Sequence, residues 1–352
     1  MLFNMNNKIN LPLEDTREDG IFDEIFTNFF DVRKAFGKKV IFNDREGGEL
    51  KPIVSLSTSP IPLNVEPFDP FEEPCEVASV DSSCIAVGET EEGSIYSVKS
   101  AVSIFCRARP KTYHIYGPYV VYVDEEAIRQ IYRDNPLREK IVRLVTLEHD
   151  YAKNLVRTIV EREILRHLSE AMSNSIILCD GSLRSSVFEV EGLRLNEILK
   201  KSNEKGNTLV GISKTSRLKF IKKVSNHLEL LNYAPVKVDV HHIVDSLLTK
   251  LEGHIFVVKF KKHGYAFRID VPYELVLDVD IVLGKILFND GFRHGYPESL
   301  MMAHNISVFN EIEQVSVKSA LTRSFNMVQV PTTRLRKVLL GGLRLEGGSG
   351  HL

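Results

Sequence analysis

The sequence has little excess charge of either sign, few cysteines and no long apolar run, and each absence removes a class of protein. Across 352 residues, 45 Lys and Arg stand against 47 Asp and Glu, a formal net charge of −2. Any nucleic-acid site must therefore come from local clustering, because the overall balance supplies none. The four cysteines (Cys75, Cys84, Cys106, Cys179) are scattered without CxxC spacing. Three lie in or beside apolar runs, the pattern of reduced, strand-buried thiols rather than of disulfides or a zinc site. No stretch approaches the roughly 18 consecutive apolar residues that span a bilayer. The N-terminus, MLFNMNNKINLPLEDTRE, lacks a basic segment followed by a long apolar core, so it does not read as a signal peptide. The expectation is a soluble, cytoplasmic protein with no membrane association. Its apolar and charged fractions, 43% and 26%, are those of a globular chain long enough for one large domain or two ordinary ones.

Along the chain, Ile21, Ile25, Phe29 and Phe36 recur at near-helical spacing within 17–37, predicting an N-terminal helix closed by a glycine. Residues 57–75, rich in Pro and Ser, predict an extended linker. The pattern then changes. EVASVDSSCIAVGE and IYSVKSAVSIFCRA read as two strands joined by a hairpin, and TYHIYGPYVVYVD as a third. A long amphipathic helix is expected over about 140–172, a strand at 175–179, a helix near 193–203, a strand at 208–214 and a helix from about 216. A further hairpin over 254–271 and helices near 275–287 and 297–315 precede a glycine-rich tail. Three meandering strands, then helix, strand, helix, strand and helix, is the order of a ribonuclease-H-like α/β fold, a mixed sheet flanked by helices. The expected division is an N-terminal helical or extended region at 1–70, the α/β domain at 71–320 and a C-terminal extension at 321–352.

Within this order, Asp180 ends the apolar strand Ile176–Cys179 and is followed at once by Gly181 and Ser182. Taken alone, Asp-Gly there is a strand-to-turn junction. Asp81 sits on the first strand of the meander, and a sheet that makes these two strands neighbours brings both carboxylates to one place. The intervening helix offers a third acid. At about 100° per residue, Leu155, Val156, Ile159 and Val160 cover an arc from 0° to about 140°, with Glu163 inside it near 80° and Glu161 outside it near 240°. A carboxylate in an apolar stripe is costly to bury unless paired or metal-bound, and this selects Glu163. Three carboxylates with no cysteine or clustered histidine ligands suit Mg²⁺ or Mn²⁺. Two such ions roughly 3.5–4 Å apart serve phosphodiester hydrolysis.

Two further stretches join the acids. GISKTSRLKFIKK ends a strand with Lys214 and continues with Arg217, Lys219, Lys222 and Lys223. A strand-end lysine meets a phosphate and a basic helix follows a backbone, or the stretch is a solvated helix face. In RHGYPESLMMAHNISVF, Pro297 opens a helix, with Tyr296 just before it and His304 four residues beyond Leu300 on nearly the same face. His304 is either a packed core residue or a group that orients a phosphate, binds a metal or carries a proton.

VDSS, EREILRHL, CDGSL, GISK and GYPESLMMAH, in that order over about residues 75–310, resemble the motifs of the NurA family of archaeal and bacterial nucleases. The Tyr-Pro and Ala-His within one helix are the most specific of them. The resemblance implies a core related to the Argonaute nuclease domain and Mn²⁺-dependent cleavage of DNA, with Mg²⁺ as the alternative ion. It also implies a homodimer around a DNA channel and partnership with the hexameric HerA translocase in resecting broken DNA ends, with 5′-to-3′ polarity. By position, it makes Asp81, Glu163 and Asp180 the metal-binding acids, with Tyr296 and His304 as later catalytic residues and Lys214 as the strand-end lysine. Ser82 departs from the glycine expected after the first Asp. Two alternatives stand beside the nuclease: a scaffold that docks a translocase ring and grips DNA without cutting it, and an RNA-cleaving enzyme of the same fold.

Overall fold

The computed structural model describes residues 29–42, 63–147, 149–186, 188–214, 216, 218–245, 248, 250–275, 277–324 and 327–329. Most of the expected N-terminal helix, the start of the linker, Arg217 and the glycine-rich tail lie outside these residues. Phe29 and Phe36 are described, and they flank a short 3-10 turn at Val32–Ala35.

The strands are β1 (Lys39–Phe42), β2 (Glu66–Pro67), β3 (Val77–Glu89), β4 (Gly93–Cys106), β5 (Arg109–Asp124), β6 (Ile176–Asp180), β7 (Thr208–Ser213), β8 (Val236–Asp239), β9 (Gly253–Lys259), β10 (Phe267–Pro272), β11 (Phe292–Arg293), β12 (Tyr296–Pro297) and β13 (Val328–Gln329). The helices are α1 (Glu125–Ile131), α2 (Arg138–Leu147), α3 (His149–Ala171), α4 (Leu195–Glu204), α5 (Lys219–Glu229), α6 (His241–Val244), α7 (Val279–Asn289), α8 (Glu298–Ser307) and α9 (Glu311–Ser324).

One large mixed sheet runs in the order β13-β1-β3-β6-β7-β10-β9-β8-β2, with β4 and β5 continuing the antiparallel meander from β3. The central strands β3, β6 and β7 are parallel, as the helical crossovers between them require. Because Val80 pairs with Cys179, Asp81 and Asp180 stand side by side on one face. Helices cover both faces. Val77, Leu178, Val210 and Ile269 pack beneath α7 and α8. On the other face Ala78, Val80, Ile177 and Leu209 pack beneath α3 and α4. Strands buried on both sides read as near-continuous apolar runs, which is why Ile176–Leu178 carries no alternation.

Several boundaries differ from expectation. The helix expected over 140–172 is two helices, α2 and α3. The one expected over 297–315 is also two, since α8 ends at Ser307 and α9 begins after Asn310. Asn310 and Glu313 form a reciprocal capping box, in which Asn310 Oδ1 accepts from the Glu313 N–H at 2.8 Å and Glu313 accepts from the Asn310 N–H at 2.9 Å. Among the described helices, none is long and apolar enough to cross a membrane.

Candidate metal centre

The turn after β6 is built to expose Asp180. Gly181 adopts φ +137°, a conformation that glycine takes without steric cost. Its N–H bonds back to the Ile212 carbonyl at 2.9 Å. On β7, a Cβ at Gly211 would lie 2.7 Å from the Gly181 carbonyl oxygen, so glycine there lets the turn fold down onto the sheet. The Leu183 N–H is held at 3.0 Å by Asp270, whose fully buried carboxylate is itself clasped by the Arg268 guanidinium at 2.6 and 2.7 Å. A buried ion pair of this geometry fixes a position because breaking it strands a charge.

α8 brings the next residues in from above. Its N-terminus is capped by the buried Asp290, which accepts hydrogen bonds from the Ser299 N–H (3.1 Å) and the Ser299 hydroxyl. Ser299 also meets Ser79 on β3, and its carbonyl accepts from Ser103 on β4 at 2.6 Å. Burial pushes the Asp290 carboxyl up to about 7 against the opposing pull of its Ser299 hydrogen bonds. At its other end α8 reaches Asp81, two residues along β3 from Ser79. Both His304 Nδ1, at 2.7 Å, and the Ser307 hydroxyl, at 2.9 Å, bond to Asp81 Oδ2. A carboxylate only accepts, so Nδ1 is the donor, and in the neutral ring that leaves the Nε2 lone pair for a ligand or a proton.

Ligand atoms of Asp81, Asp180 and His304 therefore converge, all within 4.8 Å of one another. Lys214, at the end of β7, donates to Asp180 Oδ2 at 2.8 Å and lies 5.3 Å from the centre of the Tyr296 ring. Burial, and then the negative charges of Asp180 and Asp81, push the Tyr296 phenol well above its ordinary range, which places it beside both acids. Five of the residues singled out from sequence thus meet at one place. Lys219, Lys222 and Lys223 lie apart on α5, all exposed.

Glu163, the acid selected from the helix pattern, is buried and faces an arginine of its own helix. Its carboxylate is ion-paired with Arg166, which donates to it through Nε at 3.0 Å and through a terminal nitrogen; Arg166 in turn holds Glu170 at 2.9 Å. The acid of α3 that senses the centre is Glu161. Burial raises its carboxyl above the ordinary range; Arg157 and Arg162 oppose that rise, and the charges of Asp81 and Asp180 add to it. Burial does not separate the two acids: from Arg162 to Ser169 α3 is buried on nearly every side, Glu163 on the first arc among them, whereas Glu161 is half-buried. What sets Glu163 apart is its ion pair with Arg166, which the apolar pattern does not show. Ser307 and Asp290 also escape sequence reading, because their partners Asp81 and Ser299 are recognisable only once α8 lies on β3.

A donor set of two or three carboxylates and one imidazole fits a divalent ion of the Mg²⁺ or Mn²⁺ kind, oxygen-rich with a nitrogen that Mn²⁺ accepts more readily. The cavity bounded by Leu63, Glu66, Val238 and His242 lies at the β8–β2 edge of the sheet and includes none of these residues.

The family model for the NurA domain matches residues 75–309, a span that contains every residue of this centre. The chain belongs to the NurA family. Among solved structures, the NurA nuclease from Sulfolobus solfataricus matches with a TM-score of 0.47 and 14% identity, over 74% of this chain and 88% of that one. A NurA structure bound to dAMP and manganese matches with a TM-score of 0.41 and 11% identity, over 73% and 90%. The catalytic domain of human Endonuclease V matches with a TM-score of 0.38 and 12% identity, over 73% and 91%. No curated protein matches the chain in sequence.

Proposed function

We propose that this chain is a metal-dependent deoxyribonuclease of the NurA family. The observation that carries the reading is the convergence of Asp81, Asp180 and His304 from β3, β6 and α8 onto one point. Asp81, Asp180 and Glu161 would hold the metal, with His304 presenting Nε2. When bound, a pair of Mn²⁺ or Mg²⁺ ions supplies an activated water and neutralises charge on the leaving oxygen.

The chain's own residues do the rest. Lys214 balances the charge of Asp180 at rest and is placed to meet a phosphate oxygen. Tyr296, with its phenol held protonated by burial and then by the two acids, is placed to donate a hydrogen bond and does not act as a base. Ser307 fixes the Asp81 carboxylate, and Asp81 fixes the His304 tautomer. Lys219, Lys222 and Lys223 on α5, with Arg217 in the segment before it, are assigned to contacts with the DNA backbone. The antiparallel β3–β4–β5 meander leading into parallel β6 and β7 supports a ribonuclease-H-like core. Family membership supports the remaining assignments: a homodimer, action with a HerA-type translocase and a role in resecting DNA ends. Incubating purified protein with equimolar labelled DNA and RNA in Mn²⁺, and again with chelator, tests the substrate. Metal-dependent loss of the DNA is expected, and preferential loss of the RNA overturns the assignment.

A further inference from the structure

We propose that Lys153 and Arg157 form a phosphate-binding track along α3 that leads a nucleic-acid strand into the Glu161–Asp81–Asp180 centre. The inference rests on the nuclease reading and adds a binding site to it.

Lys153, Arg157 and Glu161 are spaced i, i+4 and i+8, so they form one row on α3 with steps of roughly 6 Å. The row is aimed. Lys153 and Arg157 lie near Cys84, three residues beyond Asp81 on β3 and part of the core beneath α3. Helix α3 packs against β3 and β4, so these side chains lie over the strand that carries Asp81.

The two cations are also unspent. Farther along the same helix, Arg166 is divided between Glu163 and Glu170. Lys153 and Arg157 have no ion pair among the described residues, although both are partly buried. The Arg157 Nε–H is buried with no hydrogen-bond partner. A buried donor left unmet costs free energy that a ligand oxygen recovers. Arginine's planar fork matches the paired oxygens of a phosphodiester, and a lysine one turn away serves the next phosphate as a point charge. In a chain of net charge −2, two unpaired cations in line with an acid centre are a local concentration of positive charge that the composition does not predict. The strand would pass Lys153, then Arg157, and present its following phosphate at the acids.

The test is binding of a labelled single-stranded oligonucleotide to the full chain carrying Asp81→Asn, in chelator, across a range of salt concentrations. Adding Lys153→Gln or Arg157→Gln should weaken binding. Each should also reduce the slope of log affinity against log salt by about 0.7. Arg157→Lys should restore the slope but only part of the affinity, since it keeps the charge and loses the fork. Melting followed by circular dichroism confirms that the variants fold. A parent that binds while both Gln variants keep its affinity and slope overturns the track alone. So does an otherwise wild-type Arg157→Gln enzyme that loses kcat with KM unchanged, because Arg157 is then only a counter-ion to Glu161. A parent that binds no oligonucleotide at any salt concentration overturns the track and the nuclease reading together.

Discussion

At the residue scale, the most informative contrast lies within one turn of α3. Glu163 is buried and ion-paired with Arg166, while the charges of Asp81 and Asp180 add to the rise that burial imposes on the Glu161 carboxyl. Their substitutions should therefore fail differently. Glu161→Gln removes a charge from the metal site; it should cut Mn²⁺ affinity and cleavage by roughly 100-fold or more while relieving the repulsion among the three acids. Glu163→Gln should leave cleavage within a few-fold but cost stability, about 3–5 kcal/mol if Arg166 finds no other partner and less because Glu170 shares it. Metal titration by calorimetry together with urea unfolding of both variants separates the cases. The reverse pattern would return the ligand role to Glu163.

At the element scale, α8 is the part most precisely tied down. It is pinned to β3 through Ser299–Ser79 at its start and through His304 and Ser307 to Asp81 at its end, with Asp290 supplying the cap that Pro297 cannot. This cap makes stability depend on pH. In the unfolded chain the Asp290 carboxyl ionises near its ordinary 3.8, whereas in the fold burial holds it protonated up to about 7. Between these values the folded state binds the extra proton, so the contribution is full below about 4 and is lost as pH rises through about 7. The melting temperature of the wild type should fall across that window, and Asp290→Asn should remove that part of the fall. An unchanged pH dependence in the variant would show that the carboxyl is ionised throughout.

Much of this arrangement was legible in the sequence, for identifiable reasons. β3, β4, β5, β6 and β7 are long or strongly apolar, and Asp180-Gly181 marks its own turn. The neighbouring of β3 and β6 was a condition placed on the element order, and the parallel pairing of Val80 with Cys179 meets it. Harder to read were features that depend on tertiary contact. Glu163 is buried where the apolar pattern of α3 places it, but its pairing with Arg166 lies outside that pattern. The four-residue β8 lies between α5 and the short α6 and carries too little pattern to register. The break between α8 and α9 hangs on a capping box inside a continuous helical pattern.

At the scale of the whole molecule, the sheet acts as a rigid frame. Parallel pairing puts Asp81, within β3, beside Asp180 at the end of β6, and α8 delivers His304 to them. Catalysis would then need little reorganisation, because each carboxylate is already held by a partner: Asp81 by Ser307 and His304, Asp180 by Lys214. The same frame predicts that exchanging one ligand carboxylate for its amide leaves the fold intact, since Asp81→Asn keeps the side-chain volume and an oxygen that can accept from Ser307 and His304. The most direct measurement is cleavage of labelled linear DNA by wild-type protein and by Asp81→Asn, in Mn²⁺ and in chelator, with melting curves of both. Cleavage by the wild type in Mn²⁺ alone, and none by a folded Asp81→Asn protein, is the predicted result. Full Mn²⁺-dependent cleavage by the variant would contradict the account.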